Sequence, residues 1–168
     1  MPVPAIVVTQ FVFARLAYSL VARWYVLPAL AGRPLDRALP PLILPHFARP
    51  VSLWLLAPGA VVRPTIPATF ATGTAYGDLV AAALAVFAVW MVRGRRRGAV
   101  AAAWVFNVWG LLDALRNCAV GVALRAPEHM GAMVFVPAYA VPLLLVSHAL
   151  VFKVLLDARR DGARDPPS

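Results

Sequence analysis

Five apolar stretches of twenty or more residues follow one another along this chain, and no other feature narrows its fold so far. They run from Ala5 to Leu27, Pro41 to Val62, Gly73 to Val92, Ala99 to Leu124 and Ala132 to Leu156. The hydrocarbon core of a bilayer is ~30 Å thick and a helix rises ~1.5 Å per residue, so ~20 apolar residues cross it. The chain therefore reads as an all-α, polytopic transmembrane helical bundle of five spans. Residues 1–156 form its single domain, and the charged, breaker-rich tail 157–168 is expected to be disordered and cytoplasmic. The second stretch is the ambiguous one, because it holds Pro41, Pro45, Pro50 and Pro58. It is either a kinked span or a re-entrant segment, and in the latter case four spans remain.

Composition points the same way: 62% of residues are hydrophobic, 14% are charged and the mean hydropathy is +0.77. Water-soluble domains carry about 25% charged residues. A formal charge of +9 raises nucleic acid as a partner. Most of the cations, however, stand at the ends of apolar spans, where the positive-inside rule puts them, and no nucleic-acid-binding motif accompanies them. The lipid bilayer is the expected partner, with a homo-oligomer or another membrane protein left open.

Five spans with the N-terminus outside put Arg23, Arg33, Arg37, the Arg93–Arg97 cluster, Arg159, Arg160 and Arg164 in the cytoplasm, leaving mainly Arg63 and Arg125 outside. Four spans move Arg33 and Arg37 outside and weaken the asymmetry. The expectation is a multi-pass protein of the inner (plasma) membrane. Its N-terminus lacks a positive n-region and a cleavage site, so it reads as part of the first helix. Cys118 is the single cysteine, which excludes an internal disulfide and a CxxC pair.

The residues that invite function are those left at membrane depth: Arg15, His46, Arg49, Asp78, Asp113, Arg116 and His148. An Arg or Asp at a helix centre costs ~3 kcal/mol on insertion scales, so these groups must pair or line hydrated space. Counting along each span puts Arg15 near the midplane. Asp78, Asp113 and Arg116 fall in the outer half, and His46, Arg49 and His148 in the inner half. That predicts a nearly neutral outer layer, with Arg15 and Arg116 balancing two aspartates, over a cationic or His-rich inner one. Lys153, close to a span end, is expected to snorkel.

The fourth stretch carries the clearest pattern. At ~100° per residue Gly110, Asp113 and Asn117 share one face, flanked by Asn107 and Arg116, and Asp113 can meet Arg116 at i, i+3 or Asn117 at i, i+4. Such a stripe must face the bundle, where it either serves a ligand or simply holds helices together. Gly73 and Gly77 form a GxxxG pair that predicts close packing of the third stretch. Pro137 and Pro142 interrupt the fifth and predict a kink. A ligand or proton pathway is thus expected to involve Asp78, Asp113, Arg116, Asn107, Asn117, His46, Arg49 and His148. His46 and His148 are also weak candidates as metal or haem ligands. His129, beside Glu128 in a loop, reads as solvated. No P-loop, dinucleotide fingerprint, HExxH or nucleophile elbow is present, so standard soluble-enzyme chemistry has no support.

From about Leu42 to Leu156 the chain resembles a group of small, uncharacterised bacterial membrane proteins. The likeness lies in Leu44-Pro45-His46 with Arg49, in Ala75-Tyr76-Gly77-Asp78, in Phe106-Asn107 followed by Gly110 and Asp113, and in Phe135-Val136-Pro137 leading through Pro142 to Ser147-His148. The resemblance implies a shared five-helix layout and shared polar positions, and no activity. Members of the group lack a cation at the place of Arg15. Three functions stay open: a bundle whose buried network binds or conducts a small ligand, ion or proton; a structural or accessory subunit whose polar groups only specify helix packing; and a membrane-embedded redox or haem protein using His46 and His148.

Overall fold

The computed structural model describes residues 2–61 and 66–164, without the side chains of 161–164. Arg63, expected outside the membrane, and the end of the tail, 165–168, lie outside the described residues. Helix α1 covers Val3–Leu30, α2 Leu35–Ile43, α3 Ala68–Arg93, α4 Ala99–Ala123 and α5 Val141–Arg164. Among the described residues there is no strand. Four helical stretches are long and apolar enough to cross a membrane: Val3–Leu30, Ala68–Arg93, Ala99–Ala123 and Gly131–Arg160. Large apolar side chains look outward on all four, among them Phe13, Phe87, Leu112 and Phe135.

The Pro41–Val62 stretch is not a fifth long helix. After α2 the backbone tightens into a 3₁₀ helix over Leu44–Leu56, far longer than the three or four residues usual for that geometry. With Pro45 and Pro50 inside it, two backbone donors are missing, and a regular α ladder cannot form. Elsewhere the chain runs on where an end is expected. A wide π turn at Ala22–Val26 lets α1 continue past Pro28 to Leu30. A second π turn, Val136–Ala140, carries Pro137 into α5, and α5 itself continues beyond Leu156 to Arg164.

Helices α3 and α4 are antiparallel neighbours joined by the arginine-rich turn, where Gly98 supplies a φ of 85°. The 3₁₀ segment lies chiefly against α3, while α2 packs on α3 and α5. Two apolar clusters result. The one at the arginine end contains Leu39, Ile43, Ala88, Phe106, Val151 and Leu155. The one at the far end contains Leu55, Phe70, Ala71, Ala126 and Met130. The polar side chains of the interior lie between them.

Candidate functional site

The 3₁₀ geometry decides which side chains turn inward. With 3.0 residues per turn, positions i, i+3, i+6 and i+9 eclipse, and the buried residues of the segment are His46, Arg49, Ser52 and Leu55. In an α-helix each step of three would fall ~60° short, so His46 and Leu55 would end on opposite faces. The tighter helix therefore lines up one stripe, and Arg49 at its centre is 3% exposed.

Arg49 collects the aspartates of two other helices. Its Nε donates to Asp78 Oδ1 at 2.8 Å, and its Nη2 stands 2.8 Å from the same oxygen and donates to Asp113 Oδ2 at 2.6 Å. Nη1 donates to the Gly110 carbonyl at 3.0 Å. Asp78 lies 15 residues before Arg93 and Asp113 14 residues after Ala99. Both carboxylates thus sit about 21–23 Å from the arginine end, on one level, at ~1.5 Å per residue. Arg49 bridges the two layers that the sequence separates, and the expected pairing of Asp78 and Asp113 with Arg15 and Arg116 is corrected by it.

Small residues make that approach feasible. A Cβ on Gly77 would lie 2.2 Å from Asp113 Oδ1, and one on Gly110 would lie 2.8 Å from His148 Cε1. A Cβ on Gly73 would meet the Arg116 guanidinium at 3.1 Å. The GxxxG pair does bring helices close, and what it admits is the polar stripe of α4. Asn117 extends this layer: its Nδ2 donates to Asp113 Oδ2 at 3.3 Å, and its Oδ1 accepts from Thr74 at 3.2 Å and from Arg116 at 3.0 Å.

Deeper toward the arginine end lie the histidines. Asn107 Nδ2 donates to the His148 carbonyl at 3.1 Å, so its Oδ1 is left as the acceptor for His148 Nδ1 at 2.7 Å. The neutral ring is then protonated on Nδ1, and its bare Nε2 faces Arg49 Nη1 at 3.5 Å. Ser147 donates its hydroxyl proton to the Leu42 carbonyl, and accepts from His46 Nε2 at 3.0 Å. In a 3₁₀ pattern that carbonyl would call on residue 45, a proline without an N–H. His46 is consequently protonated on Nε2, and its Nδ1 is buried with no hydrogen-bond partner among the described residues.

This arrangement does not fit haem between the two histidines. Their ring centroids are 4.2 Å apart at 52°, in direct contact, and Phe106 edges against His46 at 4.9 Å. A macrocycle held by two axial imidazoles would have to stand between those rings, and three of their four nitrogens already face other groups. No trio of His, Cys, Asp or Glu is placed to hold a metal ion among the described residues.

Seven of the eight expected pathway residues, Arg49, Asp78, Asp113, Asn117, Asn107, His148 and, at its edge, Arg116, join one hydrogen-bonded network. His46 adjoins it through ring contact with His148. Arg116 stays exposed and touches Asn117. Arg15 is exposed on α1 among Val12, Phe13 and Leu16, outside the network and with no partner among the described residues. Lys153 pairs with Asp157 at 2.8 Å, and Glu128 pairs with Arg125 at 2.6 Å, not with the half-buried His129. Sequence reading misses Ser52, Thr74 and Ser147. The spacing of His46, Arg49 and Ser52 by threes between prolines is the signal that would find the first.

Among known proteins, residues 6–156 match a family model described as a domain of unknown function, DUF8737. No curated protein and no solved structure is significantly similar.

Proposed function

The chain belongs to the DUF8737 family, and we propose that it is an integral membrane protein whose Arg49-centred layer binds a proton or small cation. The observation that carries this reading is a count of charge: one buried guanidinium faces two carboxylates, Asp78 and Asp113, whose side chains are 15% and 8% exposed. A surplus negative charge in a lipid-surrounded interior is costly, and a bound proton or cation neutralises it. Arg116 reaches Asn117 and not either carboxylate. The apolar cluster of Leu39, Phe106 and Val151 separates the layer from the arginine end, which favours binding over conduction through this chain alone.

The topology proposed is that of an inner-membrane protein with the N-terminus outside and the C-terminus and arginine turn inside. Its support is the charge asymmetry, together with the length of residues 35–56. Nine α-helical residues at ~1.5 Å and thirteen 3₁₀ residues at ~2.0 Å extend about 40 Å, enough for a fifth crossing of a ~30 Å core.

The test is the melting temperature of purified protein across pH 5–8 and across added sodium or potassium chloride at constant ionic strength. Wild type should shift with proton or cation concentration, and Asp113→Asn should flatten that dependence while still folding. Parallel curves for the two proteins contradict the proposal. A second reading has its own observation: all three guanidinium nitrogens of Arg49 have acceptors, as a packing device requires. On that reading the polar layer only fixes helix register.

A further inference from the structure

A second group of arginines lies apart from this layer, at the end of the bundle that carries the arginine turn. Arg33, Arg37 and Arg93 ring an open groove of about 470 Å³ between α2 and α3. All three are exposed, and none has a carboxylate partner among the described residues. The nearest acid, Asp36, is taken by Arg95, which donates to it at 2.9 and 3.1 Å. Arg93 reaches only the Asp36 carbonyl, at 3.5 Å. Three like charges around one cleft repel one another, and an anion between them removes that cost.

The groove's wall says which anion. Pro41, Leu44 and Val89 line it on the side away from the arginine turn, with Leu44 49% exposed, and Val89 sits one helical turn deeper than Arg93. A soluble phosphate would use the guanidinium groups and leave that wall bare. A phospholipid uses both, its phosphate among the arginines and an acyl chain down the apolar side.

We infer that the groove of Arg33, Arg37 and Arg93 is a binding site for the phosphate headgroup of an anionic phospholipid. Basic clefts between membrane helices recognise such lipids through the same combination. The exposed cations Arg96 and Arg97 belong to the same turn but lie outside this groove, and Arg96 is stacked on Trp90 at 3.7 Å. They provide the control of equal chemistry in a different place.

The experiment is native mass spectrometry of the full chain in detergent micelles doped with phosphatidylglycerol or phosphatidylcholine, with melting temperatures recorded in parallel. Wild type should retain phosphatidylglycerol in clear excess over phosphatidylcholine and gain thermal stability from it, and inorganic phosphate should give no such gain. Each arginine near a surface of this kind is worth about fivefold in binding. Arg33→Gln alone, in a connector outside the helices, should therefore weaken retention about fivefold. Arg33→Gln/Arg37→Gln/Arg93→Gln should abolish the preference, and Arg96→Gln/Arg97→Gln/Arg160→Gln, which removes the same charge elsewhere, should keep it. Equal retention of the two lipids by wild type, equal losses in both triple variants, or stabilisation by inorganic phosphate matching that by lipid overturns the inference. If the groove triple variant does not fold, Arg33→Gln against Arg96→Gln decides the matter: a loss of lipid confined to Arg33→Gln supports the groove, and equal losses overturn it.

Discussion

Two sets of arginines in this molecule solve opposite problems. Arg49 is withdrawn from every solvent, and its position is dictated by acceptors on α3 and α4: two carboxylates and a backbone carbonyl, all within 3.0 Å. Arg33, Arg37 and Arg93 stand at the surface and have no carboxylate acceptors among the described residues. The contrast shows how to read a cation in a membrane-sized bundle. Where the protein completes the guanidinium's hydrogen bonds, the residue is part of the fold and its removal strands other charges. Where the protein leaves them incomplete beside an apolar wall, the missing half comes from outside.

The most severe challenge to this contrast is Arg49→Met. It leaves Asp78 and Asp113 buried against each other, and losing one partner of a buried ion pair costs about 3–5 kcal/mol. The variant should lose most of its folded population in detergent, measured by size-exclusion profile and melting temperature. Adding Asp78→Asn and Asp113→Leu should restore folding if the layer serves only packing. Next in size is Gly77→Ala, whose new methyl would fall 2.2 Å from Asp113 Oδ1. Overpacking of this kind costs about 1–3 kcal/mol, and the melting temperature should fall accordingly. Asn107→Leu removes both hydrogen bonds to His148 and frees its tautomer. A loss of about 1–3 kcal/mol is expected, with a changed His148 imidazole signal in ¹⁵N spectra.

The surface set should behave differently. In lipid-free detergent Arg33→Gln should melt with wild type, and a large drop would mean that the groove is structural after all. The smallest effect concerns Asp36, whose carboxyl is held below the ordinary carboxylate range chiefly by its hydrogen bond from Arg95. A lowered carboxylate value contributes stability above the unfolded pKa and loses it as pH falls through the folded one. Wild type and Asp36→Asn should therefore differ slightly at neutral pH and converge in acid. Arg95 is exposed and Asp36 half-buried, so a large neutral-pH gap would show that the pair anchors α2 on the arginine turn.

Legibility from residues alone differs between α4 and the 3₁₀ segment. The stripe Asn107, Gly110, Asp113 and Asn117 is visible because α4 is a regular helix, for which residue number converts directly into angle and depth. The 3₁₀ segment defeats that conversion. Counting it as α-helix puts His46, Arg49 and Ser52 on diverging faces and at the wrong height, and so assigns Arg49 to a layer apart from the aspartates it holds. Arg15 shows the converse error: depth alone suggests a partner for the aspartates, while the rotation of α1 turns it outward.

The run of apolar helices, and the identity of the residues too polar to face lipid, are written in the chain itself, since both follow from chemical type and from the fixed period of an α-helix. Which polar group answers which is settled only in the folded molecule. Pairing depends on helix rotation, on the prolines that wind one segment to three residues per turn, and on the absent side chains of Gly77 and Gly110, which bring α3, α4 and α5 within hydrogen-bonding reach. Those are relations between elements, and no local property of the chain encodes them.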